Sequence, residues 1–340
     1  MSANKKLPFL SVIKQLKKFF SVILSLVISL FALAQSDSTK VDTPQPGEGI
    51  GAFLLRNGLE PAAYKAEFIK LNKEKLGKDN SLLLGVKYKV PHKPTDSVVE
   101  PLLGEKNKVV KIQNHSLKGA TFYLVSGHGG PDPGAMGKLN NNDLCEDEYA
   151  YDIMLRLARQ LMSWDATVHI IIQDPDDGIR DDAYLSYDTH ETCLGQTIPL
   201  DQIQRLRQRC VAINQLYAKE RSGYCRSVFI HLDSRSEKER IDVFFYHFTK
   251  SVKGERMAQT MRDKFEEKYK KYQPTRGFSG TVSERNLYVL KETNPPAVFL
   301  ELGNIQNAKD QERFIKASNR EALAQWMAEG ILAEYKKNPK

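Results

Sequence analysis

The last two thirds of the sequence predict a layered α/β fold. From Ala120 onward, short apolar segments rich in β-branched and aromatic residues alternate with longer amphipathic segments. Such alternation favours a sheet that is covered by helices on both faces. We therefore expect a three-layer α/β/α domain over residues 119–337, with a mixed, mostly parallel sheet of about six strands.

Six segments have the length and composition of strands, namely 121–125, 167–172, 227–231, 241–246, 286–290 and 297–302. Four longer segments predict helices, namely 147–163, 201–221, 251–272 and 308–335. In the first helix, apolar residues recur on one face at three- and four-residue steps, which is the helical period.

Residues 1–34 have the layout of a secretory signal peptide. Five lysines precede an apolar run from Phe19 to Leu33, and small residues end the segment at Ala34. A spanning helix needs about 20 apolar residues, and this run is shorter. We therefore expect export, cleavage after Ala34 and no membrane span in the mature chain, with a membrane anchor as the alternative.

The charge of the chain argues against a nucleic-acid partner. The formal net charge is +8, but the five lysines of residues 1–34 supply most of it. The remaining chain carries a net charge of only +3 (8 − 5 = 3), well below the clustered positive charge that is typical of proteins that track phosphates.

All four cysteines lie in the second half of the chain, at Cys145, Cys193, Cys210 and Cys225. In an oxidising compartment they permit two disulfides in any of three pairings. Buried thiols are the alternative.

The region before the α/β domain divides into three parts. Residues 35–46 are polar and predict a flexible lead-in. Residues 47–91 combine a Gly47–Ile50 start, helically spaced apolar residues, a Leu71–Asn72 pair and a final strand that ends at Pro91. This segment resembles a degenerate LysM module, which implies a small α+β unit that binds glycan, and a spacer without a ligand is the alternative. Residues 92–118 predict a linker or a packed extension.

Four ionisable residues stand out by their positions: two lie at the ends of predicted strands, one lies just before a predicted helix, and one lies within an apolar strand. These are His128, Glu146, His231 and Glu301. The carboxyl ends of strands in an open α/β sheet are where sites assemble, so residues far apart in sequence converge there. An ordinary turn histidine, a helix-start acid and a core histidine are the alternatives for the first three. Glu301 is the least ordinary, because apolar residues surround it and an unpaired buried carboxylate is costly.

Two histidines and one carboxylate with an open fourth position are the usual ligands of catalytic zinc. His128, Glu146 and His231 fit that set, and Glu301 fits the role of the carboxylate that takes a proton from an activated water and returns it to the leaving group. His247 is the substitute ligand, whereas His169 lies within a strand.

The blocks that carry these residues resemble the zinc-dependent N-acetylmuramoyl-L-alanine amidases of the amidase_3 family. The similar blocks are Ser126–Ala135, Glu146–Ala158, Arg209–Asn214, Phe229–Asp233 and Leu287–Asn307, in that order. The resemblance implies that His128, Glu146 and His231 bind Zn²⁺ and that Glu301 is the catalytic glutamate. It also implies that peptidoglycan is the partner and that the protein acts in the periplasm or at the cell wall. An activator protein is neither predicted nor excluded.

Four further residues are candidates for contacting substrate or for supporting the ligands, namely Asp132, Asp233, Arg209 and Asn304. Three positions depart from the family pattern: Ser126 replaces a proline, Phe229 a serine and Asn304 a phenylalanine. None of these removes a ligand.

The largest departure is the insert of residues 174–200, which follows the second strand. Its acidic residues lack the spacing of a known calcium loop, so we expect a solvated acidic lid over the catalytic edge of the sheet. A surface decoration is the alternative for the insert. For the chain as a whole, a zinc exopeptidase and a non-catalytic wall-binding protein are the rival functions.

Overall fold

The structure is a computed structural model that describes residues 40–91, 96–220 and 223–338. The chain forms two compact units that divide between residues 92 and 93. The predicted signal peptide lies outside the described residues. Within the described ranges, no helix has the length and apolar character that crossing a bilayer requires.

The smaller unit is built from two helices between two short antiparallel strands. Its elements are β1 (Val41–Asp42), α1 (Ile50–Arg56), α2 (Pro61–Asn72) and β2 (Tyr88–Lys89). The rings of Phe53 and Phe68 lie 5.3 Å apart in its core, and the Asn72 side chain bonds both backbone groups of Lys89. The prediction of a flexible lead-in is wrong at Val41–Asp42, because these residues complete the sheet by pairing with β2.

Residues 96–118 pack onto the larger unit. They contain the hairpin of β3 (Ser97–Val99) and β4 (Val109–Lys111). Leu103, Val110 and Leu117 are buried in the same apolar cluster as the helices of the larger unit. Of the two predicted alternatives, the structure has the packed extension.

The remaining elements of the larger unit are, in chain order, β5 (Ala120–Ser126), β6 (Met136–Leu139), β7 (Asn142–Cys145), α3 (Glu146–Ser163), β8 (Thr167–Ile170), β9 (Ile172–Gln173), β10 (Thr192–Cys193), β11 (Gln196–Thr197), α4 (Gln202–Lys219), β12 (Tyr224–Asp233), β13 (Phe244–His247), α5 (Val252–Tyr272), β14 (Thr281–Glu284), α6 (Tyr288–Glu292), β15 (Ala297–Asn304), α7 (Ala308–Ile315) and α8 (Ala317–Lys337).

The main sheet has six strands in the order β14-β13-β15-β12-β5-β8. Four of its five pairings are parallel, and only β13 and β15 pair antiparallel. The predicted mixed, mostly parallel sheet is therefore confirmed. Its central strands β12 and β15 end together, which brings their polar C-terminal residues to one edge.

Helices cover both faces of the sheet because successive strand residues point to opposite sides. In β5, Phe122 and Leu124 pack with α3, α5 and α8, whereas Tyr123 and Val125 pack with α4 and α6. This alternation produces the expected three layers.

The predicted strand 286–290 is wrong. The edge strand is β14 (Thr281–Glu284), and the apolar residues that follow it form the short helix α6, with Val289 and Leu290 buried against α4. A short apolar run is compatible with either structure, so its local pattern did not distinguish them.

The predicted helix 308–335 is two helices that separate at Lys316, whose backbone is extended. Side chains of the second helix donate hydrogen bonds to the last backbone carbonyls of the first. Asn319 donates to the carbonyl of Glu312, and Arg320 donates to the carbonyl of Phe314. The break contains no glycine or proline and so has no local sequence signal.

Candidate metal centre

The glycine-rich turn after β5 presents the imidazole of His128. His128 has a φ of +63°, in the left-handed region. Gly127 precedes it, and a side chain at that position would collide with the imidazole of His231. Gly134 closes the turn, and a Cβ there would lie 2.7 Å from Glu146 Oε2 and from the His128 ring. These glycines therefore keep space beside the imidazole.

The carboxylate of Glu146 lies between the two imidazoles. Glu146 is the first residue of α3, and its carboxylate accepts backbone hydrogen bonds from Ala135 (2.8 Å) and Leu232 (3.0 Å). Burial alone would raise the pKa of Glu146, but the hydrogen bonds from His128 and His231 outweigh burial and hold this pKa below its usual range. Glu146 is therefore a fixed, ionised group.

His128, Glu146 and His231 form one cluster. Glu146 Oε2 is 3.2 Å from His128 Nε2, and Glu146 Oε1 is 2.8 Å from His231 Nδ1. One ligand atom from each residue lies within 4.8 Å of the other two. Two imidazole nitrogens and one carboxylate oxygen are the donors of a catalytic zinc site with an open position. The residues present therefore fit zinc, and Gly127 and Gly134 leave the room.

The other two histidines of the main sheet lie elsewhere. His247 pairs with Val298 near the start of β15, away from the edge that carries the cluster. His169 stacks on the ring of Tyr123 within the sheet. Neither belongs to the three-residue cluster.

Glu301 stands beside the cluster. Its backbone pairs with that of His231 across the parallel strands β15 and β12. Its Oε2 atom is buried and has no hydrogen-bond partner among the described residues. The pKa of Glu301 is raised well above its usual value, mainly by burial and to a lesser extent by repulsion from the carboxylates of Glu146 and Asp233. Glu301 is thus a carboxylate with high proton affinity.

Asp132 and Arg209 support His128. Asp132 Oδ2 lies 2.9 Å from His128 Nδ1 and accepts a 2.7 Å hydrogen bond from Arg205. The hydrogen bond to His128 is the main reason that the pKa of Asp132 falls to about 2. The buried Arg209 guanidinium donates to the His128 carbonyl, and burial lowers the pKa of Arg209 to about 10.

Arg205 was not among the site residues predicted from the sequence. It lies four residues before Arg209 on α4, so the two arginines share one face of the helix. That spacing was the available signal.

Asp233 and Asn304 lie at the same edge but bond a neighbouring loop. Asp233 pairs with Arg235 at 2.7 Å. The fully buried Asn304 amide donates to the carbonyls of Ser236 and Glu239 and accepts from the backbone of Arg235. Asn304 therefore fixes loop 234–239.

The four cysteines are buried thiols, which was the alternative to two disulfides. Cys145, Cys193, Cys210 and Cys225 are all buried as thiols rather than paired in disulfides. Cys193, which was a possible link between the insert and the domain body, is packed in the apolar cluster under α4.

The insert 174–200 is folded and partly buried, so the prediction of a solvated acidic loop is wrong in this respect. It pairs β9 with β10 and β10 with β11, and it buries Leu185 and Ile198. Its acidic residue Glu191 is 5% exposed and accepts a 2.8 Å hydrogen bond from the backbone of Gly130, in the turn that carries His128.

Two groups of acidic residues were also not predicted from the sequence. One joins Asp147, Glu148 and Glu191, and the other joins Asp174, Asp177 and Asp188, with one carboxylate oxygen from each residue within 4.8 Å of the others. Since both groups depend on the path of the insert, local sequence patterns did not reveal them.

The α/β sheet thus gathers two imidazoles and two carboxylates at one edge, which makes this edge a candidate metal-binding site. The sequence profile of the Amidase_3 family, described as N-acetylmuramoyl-L-alanine amidase, matches residues 122–333. The chain belongs to this family. At family level it is therefore assigned to the hydrolases that act on the amide bonds of peptidoglycan.

Two curated proteins illustrate the relationship. The chain is 22% identical over 220 residues to the germination-specific N-acetylmuramoyl-L-alanine amidase of Bacillus subtilis (strain 168), which covers 64% of this chain and 80% of that protein. It is 25% identical over 234 residues to the probable cell wall amidase LytH of Staphylococcus aureus, which covers 64% of this chain and 60% of that protein. The match thus spans less than two thirds of LytH.

Solved structures with a similar fold include two from clostridia. An N-acetylmuramoyl-L-alanine amidase from Clostridium difficile 630 matches with 23% identity and a TM-score of 0.47, covering 65% of this chain and 98% of that one. The CwlD amidase from Clostridioides difficile, solved in complex with the GerS lipoprotein, matches with 20% identity and a TM-score of 0.47, covering 64% and 100%.

Proposed function

We propose that the protein is a zinc-dependent N-acetylmuramoyl-L-alanine amidase that cleaves the amide bond between N-acetylmuramic acid and the L-alanine of the stem peptide. The observation that carries this proposal is the cluster of His128, Glu146 and His231 beside the buried Glu301, in a chain of the Amidase_3 family. The description of the family supports peptidoglycan as the substrate. The set of two imidazoles and one carboxylate supports zinc as the metal.

The three ligands would hold zinc in a preformed arrangement. Backbone hydrogen bonds fix Glu146, and Asp132 accepts from His128 Nδ1, which leaves Nε2 directed at the cluster. Bound there, zinc would polarise the amide carbonyl and lower the pKa of a bound water.

Glu301 is proposed as the general base and acid. Its Oε2 atom lacks a hydrogen-bond donor, and its pKa is raised. It can therefore accept a proton from the attacking water and deliver that proton to the leaving nitrogen of the L-alanine. The two proton transfers leave Glu301 in its starting state.

Export to the periplasm or cell wall and glycan binding by residues 47–91 complete the proposal. The smaller unit has a strand–helix–helix–strand order, with the second strand closing on the first. This small α+β arrangement supports the LysM-like interpretation of the sequence.

The proposal is tested by digestion of purified muropeptides followed by mass spectrometry. An amidase releases the intact stem peptide with a free L-alanine amine. Trimmed stems that remain attached to the glycan would instead identify an exopeptidase, and unchanged muropeptides would identify a binding protein. The Glu301→Gln variant serves as the negative control, because it retains the shape of the site.

A further inference from the structure

We propose that the chain binds a second cation, of the hard divalent class of Ca²⁺, between the start of helix α3 and the insert 174–200. The proposed ligands are Asp147 and Glu148 from the first turn of α3 and Glu191 from the insert. One oxygen of each carboxylate lies within 4.8 Å of the other two. This site goes beyond the proposed amidase activity, which requires only the zinc cluster.

The three carboxylates are buried. Asp147, Glu148 and Glu191 are 1%, 2% and 5% exposed, respectively. Surface acidic clusters are solvated and need no ion, but water does not reach these three groups freely. Carboxyl groups that are brought together in one buried space are costly to ionise unless they are paired, hydrogen-bonded or bound to a metal, so a cation would stabilise this arrangement.

The protein supplies only part of the compensation. Arg180 pairs with Glu148 at 2.7 Å, and the Gly130 backbone donates to Glu191. Asp147 Oδ1 accepts from the backbone of Glu148. Asp147 Oδ2, however, is buried and has no hydrogen-bond partner among the described residues. A buried carboxylate oxygen without a donor, in a residue of an acidic cluster, is an atom whose burial a bound cation would compensate.

The surroundings make that deficit larger. Asp174, Asp177 and Asp188 form the adjoining acidic group, and the Asp188 backbone donates to Glu148 at 3.1 Å. Arg180 is shared between the two groups, because it also pairs with Asp177. Of the two acidic groups, the one that contains Asp147 has a buried carboxylate oxygen without a hydrogen-bond partner among the described residues, so we assign the cation to that group.

The donor set selects the class of ion. Three carboxylate oxygens without nitrogen or sulfur favour a hard cation over Zn²⁺. Opposite oxygens around Ca²⁺ lie about 5 Å apart, since its bonds are about 2.3–2.6 Å long. One oxygen from each of the three carboxylates lies within 4.8 Å of the other two, so all three can contact one such ion. Mg²⁺ binds at shorter distances and retains several waters, so it suits a buried three-carboxylate site less well.

Such an ion would join the insert to two elements of the proposed zinc centre, the start of α3 and the turn that carries His128. Asp147 follows the proposed ligand Glu146, and Glu191 holds Gly130 in the turn that carries His128. The cation would therefore fasten the insert to both elements. Its expected role is structural, since Glu146 already directs its own oxygens at the two histidines.

Metal analysis of the zinc-loaded, full-length protein tests this proposal. The protein is dialysed against metal-free buffer with increasing Ca²⁺, and bound calcium and zinc are measured in the same sample by mass spectrometry. We expect one calcium per chain in addition to zinc. Glu191→Gln should weaken calcium binding at least about tenfold while zinc stays bound. Glu105→Gln, an exposed glutamate with 82% side-chain exposure, is the matched control and should bind calcium normally.

Asp147→Asn and thermal unfolding protect the test against a folding defect. Calcium should raise the Tm of the wild type but not that of either cluster variant. The proposal is overturned if the wild type binds neither Ca²⁺ nor Mg²⁺ at about 10 mM, which exceeds the dissociation constants of weak protein sites. It is also overturned if both cluster variants bind calcium as tightly as the wild type. Neither readout uses wall hydrolysis, so a failure of the proposed amidase function would be seen separately.

Discussion

His231 and Glu301 are direct partners in the parallel ladder between β12 and β15. Side chains of paired residues in neighbouring strands point to the same face of the sheet. A proposed zinc ligand and the proposed general base are therefore positioned by the same backbone hydrogen bonds. The ring of Phe299 stacks on His231 at 4.1 Å between centroids, which further limits the movement of the imidazole.

His231→Ala should remove most of the bound zinc. The variant leaves one imidazole and one carboxylate, which are too few ligands for a stable catalytic zinc site. Zinc per chain, measured after dialysis, is the readout. His247→Ala is the control, because His247 lies away from the cluster and should keep one zinc. Full zinc occupancy in His231→Ala would show that the ligand set is different.

Glu301→Gln should keep zinc and the fold but reduce the hydrolysis rate by about 10²–10⁴. Glutamine is nearly isosteric with glutamate and cannot accept the proton. Because the carboxylate is buried without a partner, the neutral amide should leave the Tm unchanged or raise it. Glu284→Gln, at an exposed position in β14, is the control. A Glu301→Gln rate within a few-fold of the wild type would remove Glu301 from the mechanism.

Asp132→Asn should lower zinc affinity by about 10–100-fold, since carboxylates that accept from a ligating histidine fix its orientation and raise its basicity. Competition with a zinc chelator measures this affinity. The matched control is Asp165→Asn, because Asp165 makes a similar 2.7 Å contact with His115 on the surface. Equal zinc affinities in the two variants would contradict a supporting role for Asp132.

The stability of the zinc-loaded protein without added calcium should depend on the protonation of Glu191. Burial is the main cause that raises the pKa of Glu191 from 4.5 to about 7. The folded state thus holds this proton more tightly than the unfolded state. The resulting stability is fully present below pH 4.5 and is lost as the pH rises through about 7.

Glu191→Gln cannot lose this proton. Its free energy of unfolding relative to the wild type should therefore increase between pH 5.5 and 8, by at most about 3 kcal/mol. Denaturant titrations at several pH values measure the difference, with Glu105→Gln as the control. A difference that stays constant with pH would mean that Glu191 does not titrate in this range.

Deletion of residues 40–91 should weaken attachment to intact sacculi but leave hydrolysis of small soluble muropeptides unchanged. The smaller unit has its own aromatic core, and a glycan-binding module raises local concentration without contacting the metal. Sedimentation with sacculi and muropeptide kinetics measure the two effects. Equal sedimentation of both proteins would support a spacer.

Local sequence patterns predicted the sheet and the positions of the four central site residues. The strands around His128, His231 and Glu301 are apolar, so an ionisable residue at their ends or within them was conspicuous. The amphipathic period of α3 likewise placed Glu146 at a helix start. These features depend on residues that are near one another in the chain.

Only the tertiary structure decided how distant segments combine. It made residues 288–292 a helix because Val289 and Leu290 pack against α4, and it separated α7 from α8 through the side chains of Asn319 and Arg320. It also folded the insert so that Glu191 meets Asp147 in a buried space. The sequence by itself determined which residues carry charge and which strands are apolar. Burial and contacts between distant segments of the chain decided which of those charges face one another, because local periodicity does not encode such contacts.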